Sequence, residues 1–254
     1  MTSARCVAWA TTMANTDVFS GYLLHSRPFR DSSVICDFFL RHAGRVSILY
    51  KGVKKSGKPG AKARLLQPFS PLSVSYTGRG ELKSGLLLET NGAGTFLQGK
   101  RLYSGLYLNE LLMRLLHKEE PHDELFEYYQ SALKLLLMDE FEVVLRRFEQ
   151  QLLMALGYEL VFEVDDQGNE VQAGRWYVYE YDSGFVPLAA PSQDSKIQQR
   201  SFLGAHLLAI HQHVYDDADI LKAAKRLSRL ALAPHLGDKP LKSRELFKQV
   251  SAFP

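Results

Sequence analysis

The 254-residue chain is 46% hydrophobic and 23% charged, which excludes a disordered or fibrous protein, and no apolar run approaches the roughly 20 residues that cross a bilayer. Its net charge of +3 is unevenly spread: residues 1–85 hold thirteen Lys/Arg against four Asp/Glu, residues 86–219 ten against twenty-two, and residues 220–254 eight against two. A basic head (+9), an acidic middle (−12) and a basic tail (+6) mark faces for charged partners rather than serving solubility alone.

Met1–Thr16 carries one cation and a short, interrupted apolar stretch, too weak for a secretory signal, and reads as a disordered extension. The only cysteines are Cys6 and Cys36, so a disulfide framework is not expected and a reducing cytoplasm is the simplest setting.

From Asp17 the pattern is that of strands. Phe19–His25 and Ser33–Leu40 are β-rich apolar segments. In VSILY, Val46, Ile48 and Tyr50 share one face, and in LSVSYT, Leu72, Val74 and Tyr76 alternate with small polar residues. Leu82–Glu89 follows the TGRG turn at Thr77–Gly80. Five short strands with turn signals predict a small closed antiparallel barrel, with an SH3-like barrel as the competing topology. Between the third and fourth strands runs KGVKKSGKPGAKAR, in which Lys51, Lys54, Lys55, Lys58, Lys62 and Arg64 occur with no acid. Like charges repel, and Gly and Pro break regular structure, so the run reads as a flexible basic loop suited to lie along a polyanion. Phe19, Tyr22, Phe29, Phe38, Phe39, Tyr50, Phe69 and Tyr76 supply the core, with Phe29 and Phe39 expected at the surface to stack on unpaired bases.

From Phe96 the period becomes helical. One helix carries Leu97, Leu102, Leu106, Leu108, Leu111, Leu112 and Leu115 to about Lys118. A second follows Pro121, and a third runs from Glu140 to a stop at Gly157. Beyond DDQGNE (Asp165–Glu170), the aromatic segment Trp176–Leu188 reads as a hairpin. Helices are expected at about Ser195–Val214 and about Asp219–Leu232, ended near Pro234, with a last short helix in KPLKSRELFKQV.

Motifs for phosphate-binding loops, nucleophile elbows and zinc proteases are absent from the sequence, so no catalytic centre is expected. His206, His211 and His213 lack carboxylate or cysteine partners at ligand spacing. Asp165, Asp166 and Glu170 do not follow an EF-hand register. No metal or cofactor is expected. Binding features are richer. Lys222, Lys225, Arg226 and Arg229 form a basic stripe of one sign at helical spacing, opposite Leu221, Ala224, Leu227 and Ala231. Arg146 and Arg147 flank the row Leu145, Phe148 and Leu152, an arrangement suited to a peptide ending in a carboxylate; pairing with Glu142 and Glu149 is the alternative.

Several segments together resemble the RecO family of recombination mediators: LHSRPFRDSS (Leu24–Ser33), GRV (Gly44–Val46) with YKG (Tyr50–Gly52), QPFSPL (Gln67–Leu72), LYSGLYLNELLMRLL (Leu102–Leu116), LRRFEQQLL (Leu145–Leu153) and LKAAKRLSRLALAPHLGDKPLKSRELF (Leu221–Phe247). The resemblance spans about residues 18–250 and is strongest to the proteobacterial branch. It implies an α+β chain: an N-terminal five-stranded OB-fold domain (17–92) joined to a helical domain (93–254) bearing a small β-hairpin. It implies binding of single- and double-stranded DNA, annealing of complementary strands, capture of the acidic C-terminal tail of single-strand-binding protein, pairing with RecR and help in loading RecA. Many family members carry a four-cysteine zinc module after the third helix, whereas Gly157–Leu188 here contains no cysteine, as in the zinc-free branch. Residues and resemblance together nominate Arg27, Arg30, Arg45, Lys51, Lys54, Lys55, Lys58, Lys62, Arg64 and Arg79 as phosphate contacts. They nominate Arg146, Arg147, Phe148, Leu152, Lys222, Lys225, Arg226 and Arg229 as the receptor for the tail. An RNA-binding OB protein acting in translation or RNA processing is the alternative reading, since phosphate contact is blind to the sugar.

Overall fold

The computed structural model describes residues 17–55, 58–138 and 140–251, and within them all side chains except those of residues 54–55, 58–59, 61 and 248–251. The expected extension Met1–Thr16 lies outside the described residues. The N-terminal part comprises β1 (Phe19–Phe29), β2 (Ser33–Leu40), β3 (Gly44–Tyr50), a two-residue ribbon β4 (Lys54–Lys55) and β5 (Lys58–Pro59), α1 (Ala61–Leu65), β6 (Pro71–Thr77) and β7 (Leu82–Thr90). A closed barrel forms in the order β1-β2-β3-β7-β6, with β6 returning to β1 through Phe19↔Val74. Every contact is antiparallel except β3 with β7, the order of an OB fold rather than an all-antiparallel SH3-like barrel.

The period-2 segments behave as their pattern predicts: Val46, Ile48, Tyr50, Leu72 and Val74 point into the barrel with Cys36 and Phe38. Gly85 is required by close approach, because a Cβ there would lie 2.3 Å from the Tyr50 ring. That space lets the buried Tyr50 hydroxyl donate to the Leu87 carbonyl at 2.9 Å. β1 runs four residues past its predicted end, through the RPF segment. Its pairing with β6 stops at Tyr22, so Pro28 sits where β1 has only β2 beside it and a missing donor is tolerated.

The helical part contains α2 (Gly99–Leu115), α3 (Asp123–Met138), α4 (Phe141–Ala155), a sheet of β8 (Trp176–Glu180), β9 (Gly184–Leu188) and β10 (Ser201–Leu203), and α5 (Ser195–Gln198), α6 (Gly204–His211), α7 (Ala218–Leu236) and α8 (Lys242–Ser251). The single helix expected over Ser195–Val214 is broken by β10, which pairs Ser201–Leu203 with β8. Gly204 then passes so close to Gln172 that a Cβ would lie 2.0 Å from its carbonyl oxygen. α7 also runs past Pro234 to end at Leu236, capped by Gly237 with φ +66°; the proline gives up one N–H bond to the preceding turn. Among the described residues, no helix is long and apolar enough to cross a membrane.

The barrel and the helices share one apolar layer. β2 is buried on both faces, Phe38 inside the barrel and Phe39 outward against Phe126 and Tyr129 at 5.3 and 6.1 Å. Phe39 is therefore core rather than the exposed stacking platform expected. A bulge in β1 between Leu23 and His25 leaves two carbonyls facing α2, and Asn109 Nδ2 donates to Leu23 at 3.3 Å and Leu24 at 3.2 Å. Asn109 Oδ1 accepts from the Tyr129 hydroxyl at 2.6 Å. Asn109→Ala is expected to orphan these groups and cost about 1–3 kcal/mol, seen as a lower urea midpoint. An unchanged midpoint would mean that water replaces the amide.

Candidate nucleic-acid interface and peptide groove

Strand direction sorts the basic residues of the barrel. β1 and β3 end side by side around β2, through Pro28↔Val34 and Val34↔Tyr50, and Val53 N–H donates to the Ser32 carbonyl at 2.8 Å. Arg27, Arg30 and Lys51, all exposed, thus share one end of the barrel. α1 packs Ala63 and Leu65 against the barrel core and adds Lys62 and exposed Arg64 to the same end. Arg30 lies over the Phe29 ring at 5.3 Å and Lys62 over Tyr50 at 5.7 Å. None of these five cations pairs with an acid among the described residues. The side chains of Lys54, Lys55 and Lys58 lie outside the described residues, and the segment expected as an open loop holds the β4–β5 ribbon and α1.

Arg45 and Arg79 are not part of this end. Arg45 sits at the start of β3, where its Nε donates to the Leu116 carbonyl at 3.0 Å and ties the barrel to the helices. Arg79 lies in the β6–β7 turn, which leads into Leu82 opposite Ser47. Neighbouring cations there are neutralised: Lys83 by Glu119 and Lys118 by Glu81, each at 2.8 Å.

In the helical part, the adjacent Arg146 and Arg147 point to different faces of α4, as a step of about 100° per residue requires. Arg147 borders one groove, between α3 and α4, with Tyr128, Leu135 and Val143, and donates to the His213 carbonyl at 3.2 Å. Arg146 is buried and pairs with fully buried Glu149 at 2.8 Å, and Tyr107 donates to the same carboxylate at 2.6 Å. Arg146 Nε and Glu149 Oε2 are buried with no partner among the described residues. Phe148 and Leu152 are 2% and 0% exposed: Phe148 reaches the floor of the α3–α4 groove beside Arg147, and Leu152 lies in the core.

A second groove of about 130 Å³ does open over Arg146. α2 contributes Tyr103 and Tyr107, α4 Phe141, Glu142 and Leu145, α7 Lys225 and Arg229, and α8 Ser243, Arg244 and Phe247. The basic stripe of α7 divides between two surfaces. Lys225, which pairs with Glu142 at 2.6 Å, and Arg229 face this groove. Lys222 and Arg226 face a cavity beside Trp176, where Lys222 pairs with Asp219 at 2.8 Å and Arg226 caps the Ser201 carbonyl at 2.5 Å. Arg244, Phe247, Tyr107 and Phe141 were not singled out in the sequence. The available signal was Glu149, an acid three residues after Arg146 on an otherwise apolar helical face.

A family model described as "Recombination protein O N terminal" matches residues 13–90, and one described as "Recombination protein O C terminal" matches residues 97–245. The chain belongs to the recombination protein O family. It is 43% identical over 227 residues to the DNA repair protein RecO of Pseudomonas aeruginosa (strain LESB58), covering 89% of this chain and 92% of that one. It is 42% identical over 231 residues to the DNA repair protein RecO of Proteus mirabilis (strain HI4320), covering 90% and 91%. It is 42% identical over 233 residues to that of Cellvibrio japonicus (strain Ueda107), covering 91% and 96%. Membership places the protein in DNA repair and recombination.

The region where many family members hold zinc is organised here by other means. Asp165 Oδ1 accepts from the backbone of Gln167 at 3.0 Å and Asn169 at 2.9 Å, closing the DDQGNE turn. Among the described residues, no three of His, Cys, Asp and Glu converge as a metal site. His206 lines the cavity beside Trp176, while His211 pairs with Glu163 at 3.2 Å. Cys36 is buried in the barrel, and that burial, with Asp37 beside it, pushes the thiol up to about 12.

Proposed function

We propose that the protein is a recombination mediator. It binds single- and double-stranded DNA through the cationic end of its OB barrel, anneals complementary strands, captures the C-terminal tail of single-strand-binding protein in the groove over Arg146, and works with RecR to load RecA at gaps. The observation that carries the reading is the convergence of Arg27, Arg30, Lys51, Lys62 and Arg64 on one barrel end, without acidic partners among the described residues. Half-exposed Phe29, next to Arg30, offers a ring to unpaired bases. Such a surface reads charge rather than sequence. Annealing then requires no reacting group: a cationic surface that holds two strands lowers their repulsion and raises their local concentration, and base pairing completes the step. The roles with RecR and RecA rest on family membership, as does the cytoplasmic, nucleoid-associated setting.

The groove supports the tail reading by its chemistry. A terminal carboxylate would meet Arg229, Arg244 and Lys225 over buried Arg146, and an apolar last residue would lie between aromatic walls. Charge reversal of Arg229 is expected to weaken binding of an acidic peptide with a free carboxylate by about 10–100-fold, the worth of a charge-assisted hydrogen bond. Arg147→Glu, on the α3–α4 groove, should leave it unchanged. Equal losses in isothermal titration would remove the assignment to this groove.

The experiment for the whole reading is annealing of complementary oligonucleotides, in DNA and in RNA, across a salt series. DNA annealing that accelerates with protein and fades as salt rises supports it. Absence of DNA annealing, or annealing confined to RNA, would overturn it.

A further inference from the structure

We infer that the cavity beside Trp176 is a second nucleic-acid site, built in the helical part: it takes one unstacked nucleotide of a single strand, with the base on Trp176 and the phosphate on Lys222 and Arg226. The site is separate from the barrel end and does not depend on it.

The cavity holds about 430 Å³, within the roughly 300–1,000 Å³ of small-molecule sites. β8 is the central strand of its sheet. Alternation sends its Tyr177 and Tyr179 into the helical core and turns Trp176 to the other face, where the ring stays partly exposed. Ser192, before α5, and His206, on α6, add polar groups to the lining, and α7 adds Lys222 and Arg226.

The two cations are held differently. The Arg226 guanidinium lies over the Phe202 ring at 4.5 Å and donates to the Ser201 carbonyl at 2.5 Å, which fixes it in place. That bond occupies only part of a fork of five N–H donors. Arg226 forms no ion pair with a described residue, and partial burial disfavours its charge, a cost that a bound anion offsets. Lys222 pairs with Asp219, but the two side chains are 76% and 66% exposed. Such a pair is worth at most about 1 kcal/mol, so Lys222 can exchange the carboxylate for a phosphate. An aromatic face beside two cations matches the two parts of a nucleotide, since a ring stacks on any base and the cations hold the phosphate. The single sign of the α7 stripe follows: Lys225 and Arg229 face the peptide groove, and Lys222 and Arg226 face this cavity.

The test uses the full chain with Arg27, Arg30, Lys51, Lys62 and Arg64 replaced by alanine, so that binding outside the barrel end is what remains. Fluorescence anisotropy follows a labelled thymidine tetranucleotide with a 5′-phosphate and an abasic analogue of equal charge. This barrel variant should bind the tetranucleotide and discriminate against the abasic analogue. Adding Trp176→Ala should weaken the tetranucleotide by about 5–100-fold, the worth of one base stacked on an aromatic ring, and remove the discrimination; adding Trp176→Phe should keep most of both. Arg226→Gln should weaken both probes alike. Asp219→Asn should tighten both, by removing the carboxylate that competes for Lys222, a gain that a damaged fold cannot imitate. The inference is overturned if the barrel variant does not bind the tetranucleotide, if it binds the abasic analogue equally well, or if Trp176→Ala changes nothing. None of these results bears on the barrel end, whose own test compares the intact barrel with the five-residue variant.

Discussion

Arg146→Ala is expected to destabilise the protein by about 3–5 kcal/mol, the cost of stripping the partner from a buried charge. The Arg146 side chain is 5% exposed and that of Glu149 0%, so both charges depend on each other more than on bulk solvent. Tyr107 supplies one hydrogen bond to the remaining carboxylate, and burial with Glu149 beside it raises the Tyr107 hydroxyl well above its ordinary range. The phenol thus stays a neutral donor and cannot offset the charge. Replacing both partners, Arg146→Met with Glu149→Leu, should recover most of the loss, because well-packed apolar pairs often match a buried ion pair. Urea denaturation of the two variants decides: equal midpoints would show that the pair is not coupled. The same double variant should lose the peptide, since its groove keeps the walls but not the buried cation.

Removing the cationic barrel end is expected to have the largest effect on function. Arg27, Arg30, Lys51, Lys62 and Arg64 replaced together by alanine should reduce single-stranded DNA affinity by at least roughly 100-fold in low salt, in line with five lost phosphate contacts. The loss should be equal for any base composition, because these contacts carry no sequence information. The fold should persist, since Arg27, Arg30, Lys51 and Arg64 are exposed and none of the five holds an ion pair with a described residue. Replacing Arg45 and Arg79 instead should leave DNA affinity within about threefold, with Arg45→Ala costing stability through its bond to Leu116. A comparable loss of affinity from that pair would move the DNA surface to the opposite end.

What the sequence made legible follows from how many faces each element buries. β3 and β6 bury one clean face, so their alternation was readable. β2 is buried on both faces, inside by the barrel and outside by α3, and SVICDFFL carries no alternation to show that Phe39 belongs to the second core. The basic run was legible as charge but not as structure, because α1 is set by packing Ala63 and Leu65 on the barrel core, a contact that no local pattern reports. Arg146 and Arg147 read as a unit in sequence, while helical geometry separates them onto two grooves. β10 was hidden because FLGAHLLAI reads as helix, and only pairing with β8 makes its first residues a strand. The seat of α8 depends on the Glu110 carboxylate, which accepts from the Lys242 backbone 132 residues away in the chain.

The most direct measurement of the central claim is the salt dependence of single-stranded DNA binding, for the wild type and for the five-residue barrel variant. Log affinity against log salt should be linear for both. The variant slope should be shallower by about 3.5, at about 0.7 for each phosphate contact on single strands. Parallel lines, with the variant merely displaced or not displaced at all, would contradict the assignment of the barrel end as the DNA surface.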